Sequence, residues 1–100
     1  MSSTSENQSN FPKVEKTLIV QNQLGLHARA AAELVKVTSE FRSEITLNKD
    51  GLQVNGKSIM GIMMLAASKG SKIKVTVEGP DAEECMEAVE KIFSEKFGED

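Results

Sequence analysis

The sequence predicts an α+β domain with two layers, in which helices lie on one face of a largely antiparallel sheet. The chain has 100 residues, of which 39% are apolar, and this suits a single domain with one core. Segments with strand-like alternation and segments with helical spacing follow one another in the order β-α-β-β-α-β-α. A hairpin turn joins two of the strands, which favours antiparallel pairing with the helices packed on one side.

The first part of the chain predicts a leader, a strand, a loop and a helix. Residues 1–12 are rich in Ser and Asn, so we expect them to form a disordered leader to a folded domain spanning residues 13–100. The β-rich segment 14–20 alternates partially and predicts the first strand, whereas residues 21–25 break this pattern and predict a loop. Residues 28–40 are Ala-rich, with apolar side chains at helical spacing, and predict the first helix.

The middle of the chain predicts a hairpin followed by a short helix. Residues 43–48 and 52–55 have the composition of strands, and the Asp-Gly pair between them is typical of a tight hairpin turn. The apolar segment 58–67 predicts a helix with Ser58 as its N-cap. Gly70 is the expected stop for that segment.

The last part of the chain predicts a strand and a long amphipathic helix. Residues 71–78 alternate regularly, so we expect Ile73, Val75 and Val77 to point into the core. After a Gly-Pro turn, Asp81 is the expected N-cap of the last helix. The apolar stripe of this helix consists of Ala82, Cys85, Met86, Val89, Ile92 and Phe93.

Composition argues against several classes of protein. A single cysteine, Cys85, builds no disulfide framework and is expected to be buried and unreactive, which fits a reducing interior. One histidine and one cysteine argue against a metal site, and we expect no cofactor. A net charge of −3 and four aromatic residues, all Phe, argue against a nucleic-acid partner. Without a signal peptide or a membrane-length apolar run, the expected protein is a cytoplasmic monomer.

The one histidine lies at the predicted junction of loop and helix, in the motif Gly25-Leu-His-Ala-Arg29. A helix N-terminus has unpaired N–H groups and a partial positive charge, and both favour an anion. The imidazole of His27 could therefore accept a phosphoryl group covalently, with Arg29 and the following amides binding its oxygens. Gly25 permits a backbone angle that would turn the ring outward. The alternative is a surface or capping histidine without reactivity.

A second motif, Lys57-Ser-Ile-Met-Gly61, begins the short helix. This helix is apolar around its whole circumference, so a domain of this size cannot bury every side of it, and exposed methionines are suited to protein docking. A phosphate on Ser58 would suit the helix N-terminus and would add about −1.5 to −2 charges at the edge of that apolar surface. The alternative is that Ser58 is an ordinary N-cap.

The two motifs and the order of elements resemble the HPr family, the histidine-containing phosphocarriers of the bacterial phosphoenolpyruvate-dependent sugar phosphotransferase system. The resemblance spans residues 14–93, and the two motifs have the spacing that the family shows. It implies an open-faced sandwich, in which three helices cover a four-stranded antiparallel sheet. It also implies a carrier rather than an enzyme: His27 would receive a phosphoryl group on Nδ1 from enzyme I and pass it to IIA proteins or domains, with Arg29 neutralising the phosphate.

The resemblance also implies regulation and docking. Ser58 matches the serine that HPr kinase/phosphorylase phosphorylates, and the matching docking residues are Ile59, Met60 and Met63. A transcription regulator is a further expected partner. Two positions depart from the family pattern. Ala30 stands where many members have Pro, and the acidic Glu33 lies near the face where partners are expected to dock.

Three alternative functions remain open from the sequence. The first is a regulatory or nitrogen-related HPr paralogue that acts mainly by binding partner proteins, although the Ser-Ile-Met-Gly motif favours the kinase-regulated type. The second is a pure binding module, in which the Ser58 region recruits a partner and His27 is idle. The third is a structural domain that binds an anion, and this would leave the exposed methionines without a role.

Overall fold

The computed structural model describes residues 10–99, so residues 1–9 of the predicted leader lie outside the described part. The described residues form four strands, namely β1 (Lys13–Ile19), β2 (Glu44–Lys49), β3 (Leu52–Asn55) and β4 (Lys72–Glu78). They also form three α-helices and a closing 3₁₀ turn, namely α1 (Ala28–Thr38), α2 (Ile59–Met64), α3 (Ala82–Ser94) and Lys96–Gly98. The predicted order of elements is confirmed. All strand pairs are antiparallel, and the strand order across the sheet is β1-β4-β2-β3.

Strand β4 lies between β1 and β2 and provides the centre of the core. Ile73, Val75 and Val77 are fully buried, as the alternation predicts. Val75 stands opposite Leu47 of β2, which is also fully buried. The intervening lysines of β4 are exposed on the other face, so the apolar side chains of one face pack under the helices. This is the two-layer arrangement that the sequence predicts.

Helix α3 packs its apolar stripe onto the sheet. Five of the six predicted stripe residues are buried and Ile92 is partly buried. The stripe continues beyond the helix, because the rings of Phe93 and Phe97 meet at 4.9 Å in an edge-on contact. Lys96 and Phe97 both have left-handed backbone angles, with φ of 57° and 55°. This reversal buries Phe97 and directs the chain back towards the start of α1.

Helix α2 is shorter than predicted. It ends at Met64 rather than at residue 67, and the left-handed angle of Ala66 (φ 49°) follows. The physical reason is this turn at Ala66, which breaks the helical backbone and brings the carbonyl of Ala67 to the amide of Leu26, from which it accepts a hydrogen bond at 2.9 Å. Gly70 is therefore not the stop of the helix. It lies in the turn before β4, where its amide donates to the carbonyl of Val20 at 2.8 Å.

Asp81 is the N-cap residue of α3, as predicted, but its side chain makes no capping hydrogen bond. The carboxylate instead accepts hydrogen bonds from the amides of Arg42 and Ser43, each at 2.9 Å, and from the Ser43 hydroxyl at 2.5 Å. The hydroxyl of Ser43, followed by the Arg42 amide, lowers the pKa of the Asp81 carboxyl below its ordinary value. Asp81 thus joins the start of α3 to the segment that leads into β2.

We expect Asp81→Ala to destabilise the fold in a pH-dependent manner. The pKa of Asp81 is lower in the folded chain, so the ionised group stabilises the fold above its ordinary pKa of 3.8, and this contribution disappears as the pH falls through the folded-state value. Urea unfolding at pH 7 and at pH 3 measures the effect, with the exposed Glu87→Ala as control. An equal difference between wild type and Asp81→Ala at both pH values would contradict this explanation.

Candidate functional site

The loop before α1 approaches the segment after α2 very closely at Gly25. Gly25 has φ of +72°, and a Cβ atom there would collide with the carbonyl oxygen of Ala67 and would lie 2.9 Å from Cα of Ser68. The adjacent amide of Leu26 donates to that same carbonyl of Ala67. The backbone of the first motif is therefore joined to the segment that follows α2, and glycine is required at the contact.

His27 occupies the N-cap position of α1. Its backbone is extended, with φ of −77° and ψ of −176°, and its carbonyl accepts the first intrahelical hydrogen bond from the amide of Ala31 at 2.8 Å. Its imidazole makes no capping hydrogen bond, and 32% of the side chain is exposed. The amides of residues 28–30 precede the first intrahelical bond, so they remain available to an anion. Ala30, unlike a proline, retains one of these donors.

The closest partner of the imidazole is Glu99, which the sequence analysis missed. Nε2 of His27 lies 2.6 Å from Oε2 of Glu99. The other oxygen, Oε1, accepts from Nδ2 of Asn22 at 2.8 Å, and the same Nδ2 donates to the carbonyl of Gly25 at 2.8 Å. The Asn22 hydrogen bond, supported by the hydrogen bond with His27 and the positive charge of Arg29, lowers the pKa of the Glu99 carboxyl. The site is thus a connected group of loop, helix start and closing turn.

Arg29 is exposed, and it borders the same surface depression as Glu99. A shallow depression is lined by Gln23, Leu24, Arg29, Gly98 and Glu99. No hydrogen bond or ion pair fixes the guanidinium among residues 10–99, so it is available to an incoming anion. Glu33, one of the two departures noted above, pairs with Lys36 on its own helix at 3.3 Å, which partly compensates its charge.

A second shallow depression connects the imidazole to α2. It is lined by Leu24, Leu26, His27, Met63 and residues 66–68. Met63 is therefore brought beside His27, whereas Ser58, Ile59 and Met60 at the other end of α2 do not line this depression.

Ser58 is the N-cap of α2, as predicted, because its hydroxyl accepts from the amide of Gly61 at 2.9 Å. The helix that follows buries only Ile62 completely. The exposed apolar side chains of α2, which we call the α2 patch, are Ile59, Met60, Met63 and Met64. Met60 is the most exposed of them, at 76%. The residues predicted for docking thus lie at the surface, joined by Met64.

Cys85 takes no part in the site. It is fully buried in α3, and burial, followed by the charge of Asp81, raises the pKa of its thiol to about 11. Within residues 10–99, no cluster of three or more His, Cys, Asp or Glu side chains is arranged to hold a metal ion. The helices in that same range are too short or too polar to cross a membrane.

Comparison with known proteins gives consistent matches over most of the chain. The family model described as "PTS HPr component phosphorylation site" matches residues 14–95. A phosphocarrier protein HPr from Xylella fastidiosa is 51% identical over 87 residues, which is 87% of this chain and 98% of the relative. An HPr-like protein Crh from Halalkalibacterium halodurans is 50% identical over 76 residues, which is 76% of this chain and 90% of that relative.

A solved structure agrees with the fold as well. The crystal structure of HPr-C-His from Thermoanaerobacter tengcongensis superposes with a TM-score of 0.83 at 46% identity, covering 87% of this chain and 98% of that one. The resemblance that the two motifs indicated is thereby confirmed across the domain. The chain belongs to the HPr family of phosphocarrier proteins of the phosphotransferase system.

Proposed function

We propose that this chain accepts a phosphoryl group on Nδ1 of His27 from enzyme I and passes it to IIA proteins or domains. The observation that carries the proposal is the placement of the imidazole. Its ring is partly exposed at the N-terminus of α1, its Nε2 is engaged by Glu99, and Nδ1 makes no hydrogen bond within residues 10–99. In this proposal residues 13–100 are the carrier domain behind a leader of residues 1–12, acting in the cytoplasm as a monomer without metal or cofactor.

The chemistry follows from the nucleophilicity of a neutral imidazole. The lone pair of Nδ1 attacks the phosphorus, and an N–P bond forms while the bond between phosphorus and the donor atom breaks, its electron pair leaving with the donor. The guanidinium of Arg29 and the amides of residues 28–30 bind the phosphate oxygens. Because phosphoryl transfer depends mainly on positioning and charge, the carrier can leave the remaining catalytic groups to the enzymes that meet it.

Phosphoryl transfer from phosphoenolpyruvate through purified enzyme I tests this function. Intact mass should show one added phosphoryl group, and ³¹P NMR should show a phosphorus bonded to nitrogen, which acid releases. An enzyme I preparation that phosphorylates another HPr serves as the positive control. If that preparation leaves this chain unlabelled, the carrier function is wrong.

We expect Arg29→Glu to slow phosphoryl transfer by roughly tenfold or more, because the substitution replaces an attraction for the phosphate with a repulsion. The side chain is exposed and unpaired within residues 10–99, so the thermal midpoint should change little. The matched control is Lys72→Glu, which makes the same charge reversal on the opposite face of the sheet. Rapid-quench kinetics with enzyme I measure both. Equal rates for the two variants would contradict the role of Arg29.

A regulatory role is the second proposal, and the exposed α2 patch favours it. We infer that HPr kinase/phosphorylase phosphorylates Ser58 and that Ile59, Met60 and Met63 dock partners, including a transcription regulator. The partial exposure of Ser58 and the apolar surface after it support this inference. If the chain were a regulatory paralogue that acts mainly by binding, it would be labelled by the kinase and ATP but not by enzyme I. The Ser58→Ala variant is the control for the kinase reaction.

A further inference from the structure

The shortest side-chain contact made by His27 assigns a role to a residue near the end of the described chain. We propose that Glu99 is a positioning residue, whose carboxylate holds the ring proton on Nε2 of His27 and so leaves the lone pair of Nδ1 free to accept the phosphoryl group. This inference rests on the proposed carrier function and names a further residue that serves the same site.

The hydrogen-bond geometry determines where the proton lies. Oε2 of Glu99 is 2.6 Å from Nε2 of His27, and an ionised carboxylate can only accept a hydrogen bond. Glu99 is ionised at neutral pH, since its contacts lower the pKa of its carboxyl, the largest of them being the hydrogen bond from Asn22. A neutral imidazole has one N–H, so a hydrogen on Nε2 places the lone pair on Nδ1.

The carboxylate is itself held in place from two sides. Asn22 is fully buried, and its Nδ2 donates both to Oε1 of Glu99 and to the carbonyl of Gly25 at 2.8 Å. On the other side, Phe97, which lies two residues before Glu99, anchors the backbone because its ring is buried against the ring of Phe93. The side chain of Glu99 is only 13% exposed. This support fixes the carboxylate relative to the loop, and through it the orientation of the imidazole.

The contact also suits the charge that develops during transfer. When Nδ1 forms its bond to phosphorus while Nε2 keeps its hydrogen, both ring nitrogens are substituted and the ring becomes cationic. The carboxylate of Glu99 then lies in contact with a positive charge, as an orienting carboxylate does beside a catalytic imidazole. No proton has to be delivered or removed in either direction. Arg29 borders the same depression and serves the phosphate instead.

The ring proton can be located directly because the chain contains one histidine. Long-range ¹H–¹⁵N spectra of the full ¹⁵N-labelled chain, recorded where the ring is neutral, distinguish the nitrogen that has a hydrogen from the one that has a lone pair. We expect wild type to have its hydrogen on Nε2, with a ring N–H signal protected from exchange with water. In Glu99→Ala we expect that signal to disappear and the form with the hydrogen on Nδ1 to become detectable.

Transfer kinetics complete the test. We expect Glu99→Ala to slow phosphorylation by enzyme I about tenfold, because a charge-assisted contact with the reacting ring is lost. The control is Glu95→Ala, which removes a nearby exposed carboxylate that makes no contact with His27, and its ring spectrum and rate should match wild type. Backbone amide spectra verify that both variants are folded.

Each unfavourable outcome has a separate meaning. A hydrogen on Nδ1 in wild type, or a ring spectrum unaffected by Glu99→Ala, would overturn the positioning role. An altered ring spectrum with an unchanged transfer rate would overturn its relevance to phosphorylation. The spectra do not involve enzyme I, so a failure of wild type to accept phosphate would instead refute the carrier function itself.

Discussion

Replacing His27 with alanine is expected to abolish phosphoryl acceptance while the chain stays folded. The chain has one histidine, so no second imidazole can accept the group. The N-cap function of this position is performed by its backbone carbonyl and not by its side chain, so truncation leaves α1 intact. We expect the free energy of unfolding to change by about 1 kcal/mol or less, since the side chain is partly exposed.

Intact mass after incubation with enzyme I and phosphoenolpyruvate measures the loss, and thermal unfolding measures the stability. Ser58→Ala is the matched control, because it removes the other proposed phosphorylation site and should accept phosphate from enzyme I at the wild-type rate. Labelling of His27→Ala would place the acceptor on another residue. Loss of both labelling and folding would show that the imidazole is structural.

Gly25→Ala is expected to lower the free energy of unfolding by about 2–5 kcal/mol. About 1–2 kcal/mol comes from placing alanine at a φ of +72°. A further ~1–3 kcal/mol comes from the collision of its Cβ with the Ala67 carbonyl, which forces the two backbones apart. That movement also stretches the hydrogen bond from Leu26 to Ala67, so the variant should accept phosphate more slowly through the displaced His27.

Gly70→Ala separates the two causes. Gly70 has φ of +91°, but nothing lies within 4 Å of the Cβ that alanine would add. It should therefore show the backbone strain of about 1–2 kcal/mol without the collision. Urea unfolding of both variants measures the difference. If Gly25→Ala is no less stable than Gly70→Ala, the close approach of the two loops does not constrain the site.

Periodicity in the sequence was sufficient to predict the layers of this fold. The alternation of β4 and the stripe of α3 encode burial directly, because each repeats with the period of its element. The motif around His27 likewise indicated a helix start, since capping is a local property of the chain. The N-cap position of Ser58 was predicted correctly for the same reason.

Features that depend on distant partners could not be predicted in this way. Asp81 has the sequence position of an N-cap, yet the donors that its carboxylate binds are Arg42 and Ser43, about 40 residues away in the chain. Glu99 meets His27 across 72 residues. No local pattern marks it, because a left-handed turn and the burial of Phe97 bring it there. The left-handed turn at Ala66 that ends α2 likewise meets a distant partner, because the next carbonyl, of Ala67, accepts from the amide of Leu26.

The position of β1 at the edge of the sheet has a consequence for how the protein folds during synthesis. Within the described residues, β1 hydrogen-bonds with β4, the last strand to be translated, and with no other strand. The β2–β3 hairpin can close as soon as it emerges from the ribosome. Strand β1 must wait for β4, which begins some fifty residues after the end of β1. Of the four described strands, β1 is made first, yet it cannot join the sheet until β4 has been made, and until then its unpaired edge is open to non-native pairing.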